Sequence, residues 1–250
     1  MFDDFRKEDP VDIADVLVNP DLPATVYRLL VETATKFGEK KAWHFIDTEC
    51  TRSWAEVLDL VDEAAAALTV LGVREGSHVA MMATTIEEFV LLWLASSRLG
   101  AVLVPVNSRY TAVEVDYALT TSDARFFLIE DRLAGVLEEM EREGIADSHI
   151  VVVGNSVTTP FQSWREIVAS ARDRTSIEAV PDTNRLVNLQ YTSGTTGFSK
   201  ACMLSNRYWL VIGLLHRTIS ACELHRLYAN FSFFYMVSPR ILVQAMFDGA

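Results

Sequence analysis

Between Val79 and Val153, apolar runs of strand length alternate with amphipathic runs of helical length, and nothing else in the chain limits its fold so tightly. Val79-Ala80-Met81-Met82-Ala83 reads as a buried strand, Glu87 to Leu99 as a helix, and Val102 to Val106 as the next strand. Gly100 follows the helix at the position where a left-handed residue closes it. Thr111 and Glu114 form a capping box that opens another helix. Arg125 to Ile129 reads as a strand, residues 132–143 as a helix ended by Gly144, and His149 to Val153 as a strand. Strand–helix–strand units of this length imply parallel pairing with right-handed crossovers. The chain should therefore be an α/β protein in layers, a parallel sheet with helices packed on both faces. Ligands of such sheets bind beyond the carboxyl ends of the strands.

The flanks fit that frame. Residues 1–22 are acidic and punctuated by proline, and read as an arm. Residues 24–37 carry Val26, Leu29, Leu30, Ala34 and Phe37 at helical spacing, with Gly38 as a stop. Residues 42–52 alternate like a hairpin around Asp47-Thr48. Ser53 with Glu56 caps a helix that stops at Gly72, and Ser163 with Glu166 caps another. Leu186 to Tyr191 reads as a strand.

That last strand runs into Tyr191-Thr192-Ser193-Gly194-Thr195-Thr196-Gly197-Phe198-Ser199-Lys200. Small residues let backbone N–H groups converge as an anion-binding nest. The Ser and Thr hydroxyls add donors, and Lys200 adds a point charge suited to phosphate. A flexible linker has similar composition. It would not be expected between two apolar runs, Leu186 to Gln190 before and Cys202-Met203-Leu204 after. The loop is not a Walker-type P-loop, because Phe198 and Ser199 separate Gly197 from Lys200 and a strand follows. It also lacks the dinucleotide pattern of spaced glycines.

The segment resembles the phosphate-binding signature of the adenylate-forming superfamily, Tyr-Thr-Ser-Gly-Thr-Thr-Gly-x-Pro-Lys-Gly. It matches from Tyr191 through Gly197 and at Lys200, and departs at Ser199 and Ala201. Met203-Leu204-Ser205-Asn206 is similar to the Leu-Ser-His that follows the loop in that family. Upstream, Thr51 to Glu56, Gly72 to Ala80 and Leu99 to Asn107 resemble further family segments, so the likeness spans about residues 20–250. Residues 23–250 would then be the N-terminal part of an adenylation domain with an acyl-CoA synthetase-like fold. The family's adenine- and magnesium-binding segment and its small C-terminal domain are missing from this sequence, which implies a truncated form. The final Phe247-Asp248-Gly249-Ala250 repeats the helix-stop pattern of Leu99-Gly100-Ala101, as if a strand were about to begin. A lost strand would leave an uncovered edge and favour self-association.

The resemblance implies a two-step reaction. A small-molecule carboxylic acid attacks the α-phosphate of ATP, with Mg²⁺, to give an acyl-adenylate. A thiol, usually that of coenzyme A, then takes the acyl group. Thr192, Ser193, Gly194, Thr195, Thr196 and Gly197 are assigned to the β- and γ-phosphates. Thr196 is also the candidate at the metal, and Lys200 is the candidate catalytic charge or loop anchor. Phe234, Tyr235 and Met236 fall where the family lines its acid pocket, and an aromatic wall suits an apolar acyl or aryl acid. The same stretch also reads as an ordinary buried strand and turn. His216 and His225 read as unremarkable helix and loop residues. A regulatory module that keeps only the phosphate loop is the alternative to a ligase.

Net charge excludes one class of function. At −12 over 250 residues the chain repels polyphosphate backbones, which argues against nucleic acid as a partner. The N-terminus has no apolar stretch of the signal-peptide kind, and the most apolar windows are too short to span a bilayer. Cys50, Cys202 and Cys222 show no metal spacing and read as buried small hydrophobes in a reducing cytoplasm.

Overall fold

The computed structural model describes residues 18, 22–156, 160–171, 181–192, 199–220 and 224–250. The proposed arm therefore lies almost wholly outside the described residues. Helix α1 (Val26–Phe37) leads into the hairpin β1 (Lys41–Phe45) and β2 (Cys50–Ser53), then α2 (Trp54–Leu71). The alternating core follows as β3 (His78–Met82), α3 (Glu87–Leu99), β4 (Val102–Val106), α4 (Ala112–Thr121) and β5 (Phe126–Glu130). Beyond it come β6 (Ile150–Val153), β7 (Gln162–Ser163), α5 (Trp164–Ala171), β8 (Leu186–Thr192) and β9 (Lys200–Ser205). Helices α6 (Asn206–Ile219) and α7 (Val237–Asp248) complete the described chain.

Strands β3 to β9 form one sheet in the order β7-β6-β5-β3-β4-β8-β9. Every pairing is parallel except β8 with β9. The chain moves from β3 to β4 on one side and then to β5 on the other, so its crossover helices fall on opposite faces. Strand periodicity delivers the two cores. Val79, Met81, Leu103, Leu128 and Val151 point into the larger one, which α1, α2, α3, α5, α6 and α7 cover. Ala80, Met82, Val104, Phe127 and Val152 point into the smaller one, covered by α4 and a 3₁₀ segment. Helices thus cover both faces, unequally.

Local signals work as the sequence implies. The capping boxes at Ser53/Glu56 and Thr111/Glu114 are both formed. Gly100 closes α3 in the left-handed region at φ 65°, a conformation that costs glycine little. Gly38 ends α1 differently, still right-handed at φ −46°. Gly213 allows α6 and α7 to touch, since a Cβ there would lie 2.4 Å from Val243 Cγ1.

One element departs from expectation. Residues 132–143 do not form an α-helix; a 3₁₀ segment runs from Asp131 to Glu138 and then gives way to turns. Asp116 of α4 explains the break, because its carboxylate accepts from the N–H groups of Glu141 and Arg142 at 2.8 and 3.1 Å. Those donors are taken by a side chain rather than by the carbonyls a helix would offer. The cysteines also differ: Cys50 is half-buried and Cys202 is exposed, while Cys222 lies outside the described residues. No described helix is long and apolar enough to cross a membrane.

Candidate functional site

The carboxyl ends of β4 and β8 lie side by side, as the parallel pairing of Leu103 with Asn188 requires. At the end of β8 the chain leaves at Thr192 and returns at Lys200, and these two residues are direct partners in the antiparallel β8–β9 ladder. The Thr192 hydroxyl also donates to the Lys200 carbonyl at 3.3 Å. The connecting segment is thus a hairpin loop whose ends are held together. Ser193, Gly194, Thr195, Thr196 and Gly197 lie outside the described residues, so only the two ends of the proposed phosphate site are placed. Thr192 and Lys200 are both exposed. Among the described residues the Lys200 ammonium makes no ion pair.

Helix α4 supports this end of the sheet. Tyr191 donates its hydroxyl to the Ala118 carbonyl at 3.0 Å and lies 2.7 Å from Thr121 Oγ1. Burial pushes the Tyr191 phenol above its usual range, so it stays a neutral donor. Tyr110 and Tyr117 both reach Ser199, the residue just before Lys200. These supports escaped the reading of the sequence. The available signal was the spacing of Tyr117 and Thr121, one turn apart and so on one face of α4.

Neighbouring strand ends are tied together as well. Glu130, buried at the end of β5, accepts from the Thr84 amide at 2.7 Å and its hydroxyl at 2.8 Å, and pairs with Arg132. This fixes the loop after β3 against β5. Among the described residues no three His, Cys, Asp or Glu side chains gather as a metal site.

The three proposed pocket residues sit in an irregular turn ahead of α7. Phe234 is buried in the larger core, and its carbonyl accepts from the Gln190 side chain of β8. The Tyr235 ring is half exposed and rests on Phe234, with centroids 4.4 Å apart. Met236 packs against the edge of the same core. The Gln190 bond thus brings this segment to the strand that carries the loop. His216 is an ordinary α6 residue whose Nδ1 contacts the Ile212 carbonyl at 2.9 Å.

Asn206, at the place of the family's histidine, is a structural tie. Its Oδ1 accepts from the Val26 amide at 2.9 Å and the Ser97 hydroxyl at 3.0 Å. Its Nδ2 donates to the Asp182 carbonyl at 3.1 Å. One buried side chain thus joins α1, α3 and the approach to β8 to the start of α6.

A mostly parallel sheet with an antiparallel return strand thus places the segment that resembles the adenylate-forming signature between the end of β8 and the start of β9. A family model for AMP-binding enzymes matches residues 30–243, and the chain belongs to that family. The acyl-CoA synthetase-like protein YngI of Bacillus subtilis is 30% identical over 206 residues, covering 73% of this chain and 38% of YngI. The long-chain-fatty-acid–CoA ligase FadD13 of Mycobacterium tuberculosis is 28% identical over 174 residues, covering 69% of this chain and 33% of FadD13. Among solved structures, the anthranilate CoA ligase AuaEII with anthranoyl-AMP superposes with a TM-score of 0.84 at 22% identity. That match covers 96% of this chain and 46% of AuaEII. The chain thus spans about a third of the length of these curated relatives.

Proposed function

We propose that the full-length protein is an ATP-dependent acid–thiol ligase, and that residues 23–250 form the N-terminal part of its adenylation domain. The observation that carries this reading is the hairpin loop itself. A segment matching the family signature from Tyr191 to Gly197 leaves the carboxyl end of β8, the strand next to the sheet edge, and closes on Lys200. Thr192, Ser193, Gly194, Thr195, Thr196 and Gly197 supply amides and hydroxyls for the β- and γ-phosphates of ATP. Thr196 is the loop hydroxyl proposed for the Mg²⁺ that neutralises phosphate charge. Such chemistry needs positioning and charge stabilisation rather than a protein nucleophile, because the substrate carboxylate attacks. Lys200, paired with Thr192, holds a positive charge at the loop's root, where it opposes the field of a chain with net charge −12.

The proposed substrate is an apolar acyl or aryl acid. Phe234 and Tyr235 supply aromatic surface close to the loop strand, through the Gln190 contact. Coenzyme A is the proposed acceptor. Carboxylate-dependent exchange of pyrophosphate into ATP by the full-length protein tests the reading. We expect exchange with at least one acid of a panel spanning chain length and aromaticity. Lys200→Ala should lower it about a hundredfold, the scale of losing one charged stabiliser. No exchange with any acid would overturn the proposal.

A further inference from the structure

Both ends of the proposed phosphate loop are moored to one helix. Before the loop, the Tyr191 hydroxyl is bound to α4 at the Ala118 carbonyl and Thr121. After it, the Ser199 hydroxyl lies 3.0 Å from the Tyr110 hydroxyl, and the Ser199 carbonyl accepts from the Tyr117 hydroxyl at 3.3 Å. Ser199 is half-buried, and the Tyr110 ring packs on the smaller core. Ser199 also stands where the family pattern has proline, whose ring fixes φ. A proline there would keep the carbonyl that Tyr117 grips but would have nothing to offer Tyr110.

We propose that Tyr110 and Tyr117 are positioning residues for nucleotide binding. They hold Ser199 and thereby set the angle at which the loop returns to Lys200. The Tyr110–Ser199 hydroxyl contact does by hydrogen bonding what a proline would do by covalent restraint. The inference rests on the reading of residues 192–200 as a phosphate loop, and its test separates the two.

The variants are Ser199→Ala, Tyr110→Phe, the pair together, and Ser199→Pro with and without Tyr110→Phe. Phenylalanine keeps the ring and so keeps the packing. The first readout is amide hydrogen exchange in β8 and β9 without nucleotide. The second is the MgATP affinity of the full-length protein by calorimetry. Ser199→Ala and Tyr110→Phe should each raise exchange near the loop about three- to tenfold, the worth of one neutral hydrogen bond. The pair together should do no more than either alone. With proline at 199, Tyr110→Phe should change nothing. Additive effects, or the same response to Tyr110→Phe with serine and with proline at 199, would overturn the clamp. MgATP affinity should fall by a similar factor in Ser199→Ala and recover in Ser199→Pro. Unchanged affinity in Ser199→Ala would overturn the positioning role. If the unaltered full-length protein bound no MgATP while the exchange pattern held, the phosphate reading would fall and the mooring would stand.

Discussion

Strands β4 and β9 belong to the same sheet and are separated only by β8, yet they are held in opposite ways. Every residue of β4 is buried, because helices cover both of its faces. In β9, Lys200, Ala201, Cys202 and Met203 are all exposed, and Leu204 alone is buried. Apolar burial fixes β4. Backbone pairing to β8, together with side-chain hydroxyls at its end, fixes β9. Rigid, buried strands thus lie beside a hairpin whose placed ends, Thr192 and Lys200, are exposed.

The largest predicted effect tests the buried half of this contrast. Phe127 on β5 is fully buried in the smaller core. Phe127→Ala should cost about 3–5 kcal/mol in chemical denaturation, from lost burial and the cavity left behind. Met203 on β9 is 71% exposed, so Met203→Ser should stay within about 0.5 kcal/mol. Similar costs at the two sites would break the comparison.

The next effect sits at the junction. Asn206→Ala would leave the Val26 amide and the Ser97 hydroxyl without their buried acceptor. An unpaired buried donor costs about 1–3 kcal/mol, and a loss of that order is expected in the same assay. Asn206→Asp keeps the acceptor while losing the donor to the Asp182 carbonyl. It should retain the exchange protection of the Val26 amide even where global stability falls. Loss of protection in both variants would show that Asn206 acts by packing instead.

The contrast between β4 and β9 also explains what was legible in advance. Strands β3 to β6 and the helices α2 to α4 follow from periodicity and capping pairs, since burial and caps are local properties of sequence. The α/β class was legible for the same reason. The end of the expected helix at 132–143 was not, because the carboxylate that takes its amides comes from Asp116, far back in the chain. Nor was Tyr110 recognisable as a support of Ser199, since a hydroxyl contact between residues 89 apart leaves no pattern along the chain. The same limit applied to Asn206, whose acceptor serves an amide 180 residues away.

The smallest effect separates two adjacent carboxylates at the start of α3, the helix that covers the buried strands. Burial alone would raise Glu87, but bonds from Arg52 at 3.0 and 3.1 Å and from Trp43 at 2.9 Å outweigh it and leave its carboxyl below the usual range. Burial raises Glu88, and Glu87 and Glu130 nearby add to the rise, while a hydrogen bond from its own backbone amide and, last, Arg52 oppose it without reversing it. The signs then differ. A lowered carboxyl stabilises the fold above its unfolded pKa, and that contribution disappears as pH falls through the folded value. A raised carboxyl costs stability once pH climbs through the carboxylate range, because the unfolded chain ionises more readily. Glu87→Gln should therefore destabilise the chain at pH 7, with the deficit shrinking toward acid pH. Glu88→Gln should stabilise it at pH 7, with the gain vanishing below the unfolded carboxylate pKa. Denaturation midpoints for both variants between pH 3 and pH 8 would decide the matter. A gain in stability at pH 7 for Glu87→Gln as well would mean that burial outweighs the Arg52 and Trp43 bonds at Glu87, and that partners do not sort the two.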